Sequence, residues 1–173
     1  AMHLIRSFCS DTMDSEEMFE KFEIPYFKNV SAEDEYYGTM LACMEMVLNG
    51  TTTFGDTGSA TVANINDTVK AVRKVGIRGR TGRLIMDQSI FNTNLNIPIE
   101  KCLENLEYQI KKYPSKSKNM VGCWVGMMGM GECSDILLIE AKKLADKYNT
   151  NINMHQACLR KEVDHYVRKN NGI

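Results

Sequence analysis

The chain lacks the features that mark several large protein classes. No stretch approaches the roughly 18–20 consecutive apolar residues of a membrane-spanning helix. Lysine and arginine (21) nearly cancel aspartate and glutamate (22), leaving a formal net charge of −1. No basic surface for nucleic acid is therefore expected. The N-terminus carries no charged-then-apolar leader, so the expectation is a cytoplasmic protein, with Ala1 a cloning remnant ahead of Met2. The six cysteines (Cys9, Cys43, Cys102, Cys123, Cys133 and Cys158) include no Cys-x-x-Cys pair. That spacing argues against a zinc ribbon or a disulfide framework and leaves most of them as small, reduced, apolar side chains. No low-complexity segment or linker interrupts the chain, which predicts a single domain over residues 1–173.

What is present is an alternation. Ser31-Ala-Glu-Asp34 has the form of a capping box, and Tyr36, Tyr37, Met40, Leu41, Met44, Val47 and Leu48 follow a helical period after it. Asn49-Gly50 supplies the helix end. Thr51 to Asp56 is β-branched and reads as a strand. Val62, Ile65, Val69 and Val72 mark a second helix ending at Gly76, and Ile77 to Met86 a second strand. Pro98 opens a third helix with Ile99, Cys102, Leu103, Leu106 and Ile110 on its apolar face. Met120 to Met128 is a third apolar run. Cys133 to Tyr148 follows as a helix, Asn151 to His155 as a fourth strand, and Lys161 to Asn170 as a last helix. Such regular alternation predicts βαβ units, a parallel sheet and an α/β fold. The acidic segment Ser10–Glu23 reads as a short surface helix broken by Ile24-Pro25-Tyr26. Twelve methionines are abundant and read as adaptable core filler.

Chemistry in parallel α/β folds sits at the carboxyl ends of strands, which singles out His155. A neutral imidazole there suits zinc or iron, but a catalytic zinc wants three protein ligands, and only His3 and His165 remain. A hydrogen-bonded structural histidine stands as the alternative. Cys158 lies three residues past His155; His-x-x-Cys is a weak signal, so it reads as a buried structural thiol rather than a nucleophile. Asp56 at another strand end reads as a cap for the following turn. Gly126 to Gly131 lacks the lysine of a phosphate loop and is accounted for by Ser134 as the next helix's N-cap. Arg78, Arg80 and Arg83 read as a solvated or sheet-edge strip. A flavodoxin-like nucleotide site would need a phosphate loop, which Ser59-Ala-Thr61 imitates only weakly.

One segment carries a more specific signal. Leu41-Ala-Cys-Met-Glu-Met-Val-Leu-Asn-Gly-Thr-Thr-Thr-Phe-Gly-Asp56 resembles the helix-to-strand signature of the amidohydrolase superfamily, chiefly through Glu45, Gly50 and Thr51-Thr-Thr-Phe54. The similarity is to the branch of cytosine-deaminase-like enzymes, adenosine-type deaminases and triazine chlorohydrolases. Ala1 to Arg6, Gly126 to Ser134 with Leu137, Ala141, Leu144 and Ala145, and Asn153-Met-His155 with Glu162-Val163 extend it over nearly the whole chain.

The resemblance implies a TIM-type (β/α) barrel, of which this chain supplies four parallel strands alternating with helices, the family's strands two to five of eight. It implies a metal, Zn2+ or Fe2+, held in the complete family enzyme by a His-x-His pair, two further histidines and an aspartate. Of these only the strand-five ligand is present, as His155, so this chain is expected to bind no metal and to be inactive. Two positions depart from the family. Cys158 stands where deaminases of this branch carry a proton-shuttling Glu, and a thiol is a poor substitute for a carboxyl cycling near neutral pH. Met128 stands where many carry a substrate-contacting His. Met128 and Cys158 are accordingly the candidate substrate-binding residues, for a nitrogen heterocycle or similar small molecule. A partial barrel would leave open strand edges and uncovered apolar surface, so a homo-oligomer is expected.

Overall fold

In a computed structural model, which describes residues 2–58, 65–90, 95–116, 118–129 and 131–172, helices and parallel strands alternate along the chain. A single 3₁₀ turn (Met2–Ile5) leads into helix α1 (Ser15–Met18), a π-helical turn (Phe19–Glu23) and α2 (Ile24–Asn29). Then come α3 (Ala32–Leu48), β1 (Thr53–Gly55), α4 (Asn66–Val75), β2 (Arg78–Thr81) and β3 (Leu84–Ile85). The remainder is α5 (Ile99–Lys112), β4 (Val121–Cys123), β5 (Val125–Met127), α6 (Asp135–Tyr148), β6 (Ile152–Met154) and α7 (Arg160–Lys169).

The helix ends follow the sequence rules. At α3, Ser31 Oγ accepts from the Asp34 amide at 3.1 Å while Asp34 accepts from the Ser31 amide at 2.9 Å, a complete capping box. Ser134 caps α6 by accepting from the Leu137 amide at 3.1 Å. Gly76 ends α4 at φ +86°, a left-handed value for which glycine carries no steric penalty. Val62 lies outside the described residues.

Every strand pairing is parallel. One sheet has the order β1-β2-β4 and the other β3-β5-β6. The two are consecutive parts of one wall. The second and third passes, expected as continuous strands over 77–86 and 120–128, are each interrupted, at Gly82-Arg83 and at Trp124. Crowding at these points explains the interruption. A Cβ on Gly82 would lie 2.4 Å from the Trp124 carbonyl oxygen, and one on Gly58 would lie 1.6 Å from the Gly82 carbonyl oxygen. Backbones packed so closely bend rather than run straight, as glycines in curved sheets commonly permit. The ladder resumes across the break, with the Trp124 amide donating to the Thr81 carbonyl at 3.0 Å. The result is four parallel passes alternating with helices, an arc of a barrel wall.

The register sorts side chains to two faces. Val121, Cys123, Val125 and Met127 share one face with Ile85 and Ile152. They pack against Val69 and Val72 of α4, Leu106 and Ile110 of α5, and Leu137, Ala141 and Ala145 of α6, forming the main core. Leu84 and Gly126 pair on the opposite, concave face. There a second apolar cluster joins Leu84 and Met86 to Phe19, Ile24 and Phe27.

That cluster corrects the reading of the N-terminal segment. Phe19, Ile24 and Phe27 are buried, so the segment is not a surface helix. Nor does Pro25 break it. Proline offers no backbone N–H, and it falls in the first turn of α2, directly after a π-turn whose Ile24 amide donates to the Phe19 carbonyl. The bend turns the aromatic side chains onto the carboxyl ends of the strands.

The arginine strip is also corrected. Arg78 is exposed, but Arg80 donates to the carbonyls of Gly79 (2.9 Å), Lys116 and Asn119 (both 3.2 Å), tying the strand starts together. Arg83 is 6% exposed, and its burial pulls the guanidinium below its ordinary pKa.

Candidate functional site

A cavity of about 390 Å³ opens at the carboxyl ends of the passes. Each pass contributes to it: Asp56, Thr57 and Gly58 after β1, Leu84 from β3, Met128 and Glu132 after β5, and His155 and Cys158 after β6. Helices α1 and α2 and the π-turn between them close it from above through Met18, Phe19, Glu23 and Phe27. The three candidate residues, His155, Met128 and Cys158, thus meet in one place.

Backbone geometry sets His155. The alternation of β6 places it on the same face as Asn153, which pairs with Gly126 on the concave side. Gly129 has φ +146°, and a Cβ there would lie 2.6 Å from the His155 carbonyl oxygen. The glycine lets the third and fourth passes close up at the cavity rim. The imidazole is exposed, and Glu23 lies near enough for its field to be felt. Burial raises the Glu23 carboxyl's pKa, and His155 opposes that shift. His3 lies elsewhere, with Nε2 3.7 Å from Glu45, and His165 is on α7 and does not line the cavity.

Cys158 is exposed rather than buried, because it sits in the turn before α7. Its backbone amide, at 2.9 Å, and that of Leu159, at 3.3 Å, both donate to Glu162 Oε2. Glu162, itself buried, therefore fixes the turn that follows His155. The four fully buried cysteines behave as small apolar groups, with burial pushing Cys43, Cys102 and Cys133 up to about 11 and Cys123 to about 12. Asp56 does cap its turn, accepting from the Gly58 amide at 3.1 Å, and also accepts from Thr81 Oγ1 at 3.1 Å.

Glu132 was not singled out by its sequence context, which is a Gly-rich loop ahead of an N-cap. It is 1% exposed, and neither carboxyl oxygen has a hydrogen-bond partner. Burial, with the like charge of Glu162 nearby, pushes its carboxyl up to about 7. A glutamate between Gly131 and Cys133 carries no periodic or spacing signal, so only the fold could show where it goes.

The donor set does not fit a catalytic metal. Among the described residues no three His, Cys, Asp or Glu side chains come together to hold an ion, and His155 is a lone imidazole.

Residues 2–171 match the model of the Amidohydrolase family. The chain belongs to that family. It is 30% identical over 168 residues to a 5-methylthioadenosine/S-adenosylhomocysteine deaminase of Thermoanaerobacter pseudethanolicus, covering 97% of this chain and 37% of that protein. To the deaminase of the same name from Thermodesulfovibrio yellowstonii it is 33% identical over 172 residues, 99% of this chain and 37% of the relative. The chain thus spans a little over a third of the length of these relatives. Solved structures show the same fold. An adenosine deaminase from Xanthomonas campestris with bound zinc superposes with a TM-score of 0.80 at 17% identity, over 98% of this chain and 37% of that one. A point mutant of the atrazine chlorohydrolase of Arthrobacter aurescens, in complex with zinc and atraton, gives 0.78 at 18% identity, over 92% and 41%. Membership of this family leaves no role for the flavodoxin-like alternative, whose Ser59-Ala-Thr61 segment lies outside the described residues.

Proposed function

We propose that residues 1–173 form one domain, a segment of a metal-dependent hydrolase barrel of deaminase or chlorohydrolase type. The segment corresponds to strands two to five, and by itself it does not carry out the reaction. The substrate class of the whole enzyme would be a nitrogen heterocycle or similar small molecule. Relatives named as 5-methylthioadenosine/S-adenosylhomocysteine and 5'-deoxyadenosine deaminases, a guanine deaminase with bound guanine and the chlorohydrolase complex support that class. His155 would be a metal ligand in the complete barrel, while Met128 and Cys158 would border the substrate.

The observation that carries the reading is the solitary imidazole. His155 lines the mouth on a strand end, yet among the described residues no second and third donor stand with it. A lone neutral imidazole holds zinc weakly, since structural and catalytic sites recruit three or four protein ligands. Elemental analysis of the purified chain after dialysis is expected to find zinc and iron far below one per chain. Stoichiometric, tightly held metal would overturn the reading of this chain as inactive.

Open edges favour self-association as the chain's own behaviour. Among the described residues β1 pairs only with β2, and β6 only with β5, so one side of each is available for pairing. Tyr37, Met44 and Leu48, at 54, 43 and 85% exposure, form an apolar stripe along α3 at spacings of seven and four residues. Sedimentation at micromolar concentration is expected to show an oligomer, and a clean monomer would refute this part.

A further inference from the structure

The two outer strands of the wall are unguarded. Native edge strands are usually blunted by a charged side chain, a proline, a bulge or a covering element. Here they read Thr51-Thr-Thr-Phe-Gly55 and Asn151-Ile-Asn-Met154, with no charge and no proline. Their outward-facing groups can be assigned. The Arg78 amide donates to the Thr52 carbonyl and the Asp56 amide to the Arg80 carbonyl, so residues 52, 54 and 56 face β2, and Thr53 and Gly55 face away from it. The Val125 amide donates to the Asn151 carbonyl, which leaves the amides of Ile152 and Met154 facing away from β5. The concave side is open beside the first of these edges. Phe54 packs into the main core, so Thr53 and Gly55 lie on the concave side, where both are exposed. Arg78, in register with Thr53 and donating to its Oγ1 at 3.0 Å, is exposed there too, and Trp124, beside Gly55, is only half-buried. Phe19, Ile24 and Phe27 cover the mouth end of that face, not these residues nearer the strand starts.

We propose that two copies of this chain close one eight-stranded barrel, with β6 of each pairing in parallel with β1 of the other. The inference rests on the self-association proposed above and gives it a geometry. A barrel of this class has eight parallel strands, and the described residues form four passes, so two copies supply the number. Every pairing within the chain is parallel, and a two-fold along the barrel axis makes the two new seams parallel as well. Closure uses both edges at once and leaves none open. Pairing β1 with β1 of a second copy across a two-fold would instead be antiparallel and would leave both β6 edges free. Closure also completes the mouth. One copy supplies half of the strand ends around it, with His155, Met128 and Cys158, and the second copy brings its own three to the opposite side.

The test is sedimentation of the full chain at micromolar concentration, expected to give twice the chain mass and nothing larger. Proline at an outward-facing amide removes a donor without breaking the chain's own ladder. Thr53→Pro on one edge and Met154→Pro on the other should therefore each halve the mass, with the fold checked by circular dichroism. A readout without edge variants comes from Cys158, which is exposed at the mouth. A bismaleimide should join Cys158 of the two copies into a covalent dimer, and Cys158→Ser should abolish the product. A monomer refutes the closed barrel and self-association together. A species larger than a dimer, a dimer that persists in either folded proline variant, or a dimer that gives no Cys158-dependent cross-link overturns the closed barrel alone and leaves self-association standing.

Discussion

The two faces of the strand wall solve the burial problem differently. Toward the helices, Val125, Met127, Leu106 and Leu137 are 0–1% exposed and meet in a continuous apolar layer. Toward the mouth, five buried apolar residues share space with an open cavity and a buried, unpartnered glutamate. The first face is optimised for stability. The second gives up stability at the place where this fold puts ligands, a common arrangement at sites that bind something.

Truncation should separate the two faces most strongly. Leu137→Ala is expected to lower stability by about 2–5 kcal/mol, because its closed surroundings cannot collapse onto the void. Met128→Ala, half-buried against a space that already exists, should lose only about 1 kcal/mol, since little new cavity is made. Equal losses in urea denaturation would erase the distinction.

Glu132 gives the next largest effect, with the opposite sign. Replacing a buried, unpartnered carboxyl by the apolar Glu132→Met is expected to stabilise the chain by about 1–3 kcal/mol at neutral pH. The pH dependence has a definite direction. A carboxyl whose folded pKa is raised to about 7 holds its proton more tightly folded than unfolded, so its contribution favours folding at acid pH. That contribution is lost as pH rises from the ordinary carboxylate range through about 7. Melting temperatures measured over this window should fall with pH in the parent chain, and the fall should be shallower in Glu132→Met.

The smallest effect belongs to a position far from both faces. Ser31→Ala removes the acceptor for the Asp34 amide and should cost about 1 kcal/mol, equally at all pH values at which Asp34 is ionised. A loss as large as that of Leu137→Ala would mean that α3 is held by its cap rather than by packing.

Much of this architecture was legible in the sequence because it rests on local signals. The 3.6-residue spacing of Cys102, Leu106 and Ile110, the Ser31 box and the left-handed Gly76 each fix a feature within a few residues, and all three stand in the fold. The β-branched and apolar runs located all four passes. Their interruptions were not visible, since Gly82 meets Trp124 only after the passes pair. The path of residues 15–29 was misread for a related reason. Phe19, Ile24 and Phe27 look like scattered hydrophobics until Leu84 and Met86 come to lie beneath them. Cys158 was misjudged because its exposure depends on the turn that Glu162 fixes from the next helix. The place of His155 at the mouth followed from the rule that strand carboxyl ends meet, whereas Met128 and Cys158 were pointed to by the family resemblance. Glu132 obeys no such rule.

Gly129 carries a consequence for how the mouth can change over time. Because even a methyl group at that position would collide with the carbonyl of residue 155, the location of the imidazole is dictated from the neighbouring strand as much as from its own. An alanine there, chemically innocuous and remote in sequence, would displace the ring without altering a single polar atom. Inheritance of the histidine alone is therefore no guarantee that its reach into the cavity is inherited with it.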